Sequence, residues 1–160
     1  MKKNIRWVLA GQLILFVGLF LFTLLLCGGL QAVLYFVDPP SLILIALVLI
    51  PGLIIMGEWR DFLKAFSVGI RPYRLLELKN IIEAVGAAQK LTILGALFAI
   101  IISGVILLGR LDDPSTIGPN LAVCFLSGFY AVIIEFILLP LRLNAERKMN
   151  EEMDLEDDGN

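Results

Sequence analysis

Residues 91–109 read LTILGALFAIIISGVILLG, nineteen residues without a charge. A helix needs about 20 apolar residues to cross roughly 30 Å of hydrocarbon. A barrel would need short strands of alternating character, whereas this run is apolar on every face. It reads as a transmembrane helix. Working outward, Trp7–Cys27, Ser41–Gly57 and Leu121–Pro140 have the same character, the first two again without charge. Pro51-Gly52 inside the second predicts a kink.

Composition gives the same class. The chain has 160 residues, 59% of them apolar and 18% charged, with a mean hydropathy of +0.90. Soluble domains run at about 45–50% apolar and 25% charged, and so short a chain could not bury the excess. Disorder is excluded for the same reason, and a disulfide scaffold by having only two cysteines. The absence of histidine removes imidazole catalysis and His-ligated metal. A net charge of −2 gives no bulk basicity for nucleic acid. Cys27 and Cys124 read as small hydrophobes.

The fold class is an all-α integral membrane protein with four transmembrane helices. Twelve Lys and Arg residues lie before the first span, between the second and third, or after the fourth, against Arg110 alone in the two opposite loops. The positive-inside rule then makes the N and C termini and the middle loop cytoplasmic. The first apolar run is longer than the 7–15 residues of a secretory signal, and Leu26 precedes Cys27 where a lipoprotein site needs a small residue, so it reads as an uncleaved anchor. Residues 1–145 form a four-span domain, with spans at about 7–27, 41–57, 91–109 and 121–140 and a cytoplasmic loop at 58–90. Residues 146–160, with seven acidic side chains, read as a disordered tail. Gly28–Pro40 reads as a short interfacial helix with Tyr35 at headgroup depth, and Ser41 as the N-cap of span two. In the cytoplasmic loop, Leu75, Leu78, Ile82 and Val85 have helical spacing that runs on into span three.

Two stripes of small residues stand out. Thr92, Ala96, Ala99 and Ser103 share one face of span three, with Gly95 beside them. Cys124, Gly128, Ala131 and Glu135 share one face of span four, with Ser127 adjacent. Small side chains let helices approach closely in lipid, so the stripes either pack together or line a cavity or a partner's helix. Counting inward from Leu91 and Pro140 sets Ser103 level with Ser127 and Gly128, and Glu135 level with Ala96. Glu135 is the one ionisable side chain well inside a span. Its cost of about 2–3 kcal/mol or more marks it for function, with Lys90 and Arg142 as candidate partners. No nucleotide loop, metal cluster or nucleophile–base pair is present, so neither enzyme nor cofactor is expected.

Tyr35-Phe36-Val37-Asp38-Pro39-Pro40-Ser41-Leu42 resembles the Phe-Ile-Asp-x-Pro-Ser start of the second span in the MotA/TolQ/ExbB proton-channel family. Leu111-Asp112-Asp113-Pro114-Ser115-Thr116-Ile117-Gly118-Pro119, followed by Leu121-Ala122-Val123, is similar to that family's loop between spans three and four. Phe129-Tyr130-Ala131 stands where the family has Leu-Tyr-Gly, and Pro140 at the distance where its fourth helix ends. The resemblance covers all four spans and is most specific over Leu91–Pro140. It implies a homopentamer in the bacterial cytoplasmic (inner) membrane around a single-span MotB/ExbD/TolR-like partner. That partner's membrane aspartate carries a proton or sodium ion, and the small-residue stripes face it. The family's Gly-Thr-x-x-Gly stretch is Ala99-Ile100-Ile101-Ile102-Ser103 here, and its paired threonines are Ser127 and Gly128. The 33-residue loop Glu58–Lys90 is also short for the insert that pushes a flagellar rotor. The expected function is therefore the channel-forming subunit of an ion-driven motor other than a flagellar stator. A non-conducting scaffold is the alternative, and a small solute transporter a weaker third. Alkaline phosphatase fused after Asp113 should be active and, fused after Lys79, inactive; the reverse pattern would overturn the topology.

Overall fold

The apolar runs become helices. The computed structural model describes residues 5–27 and 34–158, and no strand occurs among them. The helices are α1 (Ile5–Cys27), α2 (Pro39–Ile55), α3 (Trp59–Ala65), α4 (Leu75–Leu108) and α5 (Pro114–Asp158). Three helical stretches are long and apolar enough to cross a membrane: Leu34–Ile55, Leu75–Leu108 and Pro114–Leu155. That is the make-up of a multi-pass membrane protein.

An antiparallel hairpin of α4 and α5 is the backbone of the fold. α4 runs unbroken from the loop helix that begins at Leu75 into the charge-free stretch, as the spacing predicts. α5 departs from expectation twice. It continues through Pro140, placed above at the end of a span, and on through residues 146–158, read above as a disordered tail. Packing explains both. Proline removes one backbone hydrogen bond, but Leu138 and Leu141 on either side of Pro140 are buried with Ala145 against Leu78, Ile81, Val85 and Ala88 of α4. Beyond them, Arg142–Glu146 at 3.0 Å and Lys148–Glu151 at 3.7 Å add ion pairs at helical spacing. Tertiary contact, more than intrinsic propensity, holds such a segment helical.

α2 lies across α4 at two glycines. A Cβ at Gly52 would fall 2.8 Å from Leu91 Cδ1, and one at Gly95 3.1 Å from Ile45 Cα. Gly95 therefore serves the α2 contact. The N-cap of α2 is Asp38, not Ser41: its carboxylate accepts the Ser41 N–H at 3.1 Å, and Pro39 and Pro40 occupy the first turn, where no donor is needed. The helix runs on through Pro51 and stops before Gly57, whose φ of 77° turns the chain toward α3. α3 sets Trp59, Phe62 and Ala65 against the same core as Leu78 and Ile81. The hydrogen bond from Lys64 to the Asp61 carboxylate raises that ammonium above its ordinary pKa, so the lysine stays charged through neutral pH.

α1 docks on α5 through rings. Phe16 meets Phe136 with centroids 5.0 Å apart, and Phe20 meets Phe129 at 5.4 Å and Phe36 at 5.1 Å. Phe16 pairs with the later α5 residue and Phe20 with the earlier, so the two helices are antiparallel. Much of α1 otherwise stays open, with Ile14, Leu15, Leu19 and Leu26 exposed. Leu34–Phe36 form a single 3₁₀ turn; the rest of the expected interfacial helix, residues 28–33, lies outside the described residues. Gly95→Val should lower stability by about 1–3 kcal/mol through overpacking, read by thermal unfolding in nanodiscs. Gly104→Ala, where the added methyl meets nothing within 4 Å, should instead raise the transition slightly, because alanine favours a helix interior over glycine by up to about 1 kcal/mol.

Candidate functional site

Polar side chains along α5 gather at two depths. The outer cluster is built around Tyr130. Its hydroxyl donates to the Phe36 carbonyl and accepts the Asp38 N–H at 2.8 Å. Asp38 in turn accepts the Ser41 hydroxyl, which also lies 3.4 Å from the Val123 carbonyl. One phenol thus ties the start of α2 to the middle of α5, with its polar atom satisfied although buried. Asp113 repeats the capping logic at the start of α5, accepting from the Ser115 N–H at 3.1 Å and hydroxyl at 2.6 Å, with Pro114 in the first helical position. The loop residues Asp38, Pro40, Asp113 and Pro114 are accounted for as helix starts. Asp112, Gly118 and Pro119 are exposed.

The small-residue stripes turn inward. Thr92, Ala96, Ala99, Ser103, Ser127 and Ala131 are buried by the chain's own helices, while Cys124, Gly128 and Glu135 are half-buried. Thr92 donates to the Ala88 carbonyl at 2.9 Å and Ser127 to the Val123 carbonyl at 2.7 Å, so these two hydroxyls satisfy their own helices. The register also differs from the depth count. Ala96 packs with Tyr130 and Ala131 instead of meeting Glu135, and the Cys124 thiol lies 3.7 Å from the Ile100 carbonyl. Because α5 does not end at Pro140, that residue is no marker of depth, and the two helices are offset from the count.

The inner cluster is a chain of side chains leading out of the apolar region. Gln89 Nε2 donates to Glu135 Oε2 at 2.8 Å, Arg142 Nη1 donates to Gln89 Oε1 at 3.3 Å, and Arg142 Nε pairs with Glu146 Oε1 at 3.0 Å. Glu135 thus reaches Arg142, one of its two candidate partners, through an amide; Lys90, the other, is exposed. Gln89 escaped the sequence reading because a neutral amide next to a lysine carries no charge signal, and the register that brings it to Glu135 is tertiary. Glu135 Oε1 is buried and lacks a partner, and so is Gln12 Oε1 on α1. Gln12 stands one turn from Phe16, whose ring meets that of Phe136 at a tilt. The Glu135 oxygen, a buried acceptor without a donor, is a place for a proton or a water. Among the described residues no three His, Cys, Asp or Glu side chains come together as metal ligands.

No protein-family model, curated protein or solved structure matches this chain. Tyr130→Phe removes both the donor and the acceptor from the outer cluster. It should cost about 1–3 kcal/mol and speed amide hydrogen exchange over residues 36–41, with no such change near Gln89.

Proposed function

We propose that this chain is the channel-forming subunit of a proton- or sodium-driven membrane motor of the MotA/TolQ/ExbB type, other than a flagellar stator. In this reading α1 is a fourth span, both termini are cytoplasmic, and the chain sits in a bacterial inner membrane. Five copies surround a single-span partner that carries a membrane aspartate. The observation that carries the proposal is the Tyr130 clamp. Two of the stretches behind the resemblance, Tyr35–Leu42 and Phe129–Ala131, are far apart in sequence, and here one hydroxyl joins them across 92 residues. The Glu135–Gln89–Arg142–Glu146 chain supports the inner half of an ion path, since an intramembrane carboxylate kept at that cost marks an ion or proton route.

A non-conducting scaffold has an observation of its own. Ser103 and Ser127, the hydroxyls nearest to the family's pore positions, are sealed inside the chain, and the open faces of α4 and α5 are apolar, with Phe98, Ile101, Val105, Phe125 and Val132 exposed. One experiment separates the readings. The protein is co-expressed with single-span candidates, purified with whichever binds, and reconstituted in liposomes under a proton or sodium gradient. A motor subunit should pass current that falls at least tenfold in Glu135→Gln while the complex stays intact. Absence of both a bound partner and flux would leave the scaffold.

A further inference from the structure

An ionised carboxylate among apolar side chains needs a counter-charge or a proton. Arg142 is not a free counter-charge for Glu135. Its Nε is paired with Glu146 Oε1 at 3.0 Å, and it reaches Glu135 through the Gln89 amide. Other charges are few on the packed elements. Lys90 on α4 and Arg60 on α3 are exposed, and Lys64 is paired with Asp61. α2 carries no charge, and α1 carries Arg6 alone, about 15 Å of helix before Phe16. The charge on Glu135 is thus left for a proton or a small cation to neutralise.

The orientation of one amide decides between them. A guanidinium can only donate. The 3.3 Å contact from Arg142 Nη1 therefore takes the oxygen of Gln89 and leaves its NH2 to Glu135, 2.8 Å from Oε2. A Cβ at Gly86 would lie 3.8 Å from Nη1, so the guanidinium rests on the same helix that carries Gln89. A hard cation is held by several oxygens at once. Here the amide oxygen is turned away, an N–H stands in its place, and a guanidinium lies beyond it. A proton needs one oxygen. Oε1, buried and without a donor, can take it while Oε2 keeps the Gln89 bond, because a protonated carboxyl still accepts.

We propose that Arg142, a positioning residue acting through Gln89, makes Glu135 a site for a proton and not for a sodium ion. The proton comes from hydronium, forms the Oε1–H bond and returns to water when that bond breaks. The site alternates between a carboxylate and a neutral acid with its hydrogen bond to Gln89 intact. The inference deepens the proposed ion path and rests on that reading for the depth of Glu135 in the membrane.

The test is infrared difference spectroscopy on the full chain in nanodiscs, without a partner, as one buffer replaces another. The Glu135 carboxyl band is the one missing from Glu135→Gln. In the wild type it should appear at low pH and vanish at high pH. Replacing choline by sodium at fixed pH and ionic strength should leave it unchanged. Gln89→Glu puts an oxygen where the N–H was, and there sodium should suppress the band with an affinity at least tenfold above the wild type's. Arg142→Leu frees the amide to turn its oxygen inward and should confer part of that response. Arg142→Lys, which still donates, should behave as the wild type. A wild-type band that sodium suppresses, a band that ignores pH, or a sodium response equal in all variants would overturn the inference. Liposome current that follows sodium through Glu135 would overturn it and leave the motor reading standing. A pH-dependent, sodium-blind band in a chain that passes no current with any partner would overturn the motor reading and leave this one.

Discussion

Hydrocarbon gives apolar helices no reason to prefer each other over lipid, so association there depends on close contact and on hydrogen bonds. The α4–α5 register rests on that constraint. Ala96 lies against Tyr130 and Ala131, Ile100 against Cys124 and Gly128, and Gln89 against Glu135. A slip of one turn would move Gln89 away from Glu135 and leave a carboxylate alone among apolar side chains. The polar pair thus selects a register that the small residues merely permit. α2 then fits against α4 only where Gly52 and Gly95 leave room, and Tyr130 fastens its outer end.

Much of the helical layout was legible in the sequence because a membrane span leaves a signal in composition alone. The continuity of the loop helix with residues 91–108 was legible too, from the spacing of Leu75, Leu78, Ile82 and Val85. Helix ends were harder. Pro140 and the acidic residues after it look like a terminus, yet Leu141, Ala145 and Met149 recur on one face, and a neighbouring helix converts that face into structure. The cap of α2 went to Ser41 because serine caps helices well; two prolines between it and Asp38 moved the start three residues earlier.

The polar sites divide along the same line. Glu135 was visible by itself, since a carboxylate inside a span is conspicuous. Its surroundings were not, because Gln89 is neutral and its meaning depends on which helix faces it. The small-residue stripes are periodic features of the sequence, but a stripe cannot say whether its own chain or another one fills the groove. Here the chain's own helices cover Thr92, Ala96, Ala99 and Ser103.

α5 is one helix from its start outside the last apolar run to its acidic end, with Pro140 partway along it. The eighteen residues after that proline form an arm of about 27 Å. Stiff and fixed to α4 along most of its length, the pair acts as a lever. A tilt of 10° about Pro140 would carry the far tip sideways by about 5 Å, roughly one helical turn. Movements too small to reorganise the packed apolar interior would therefore arrive at the far end of the arm as displacements large enough to exchange one set of side-chain neighbours for the next.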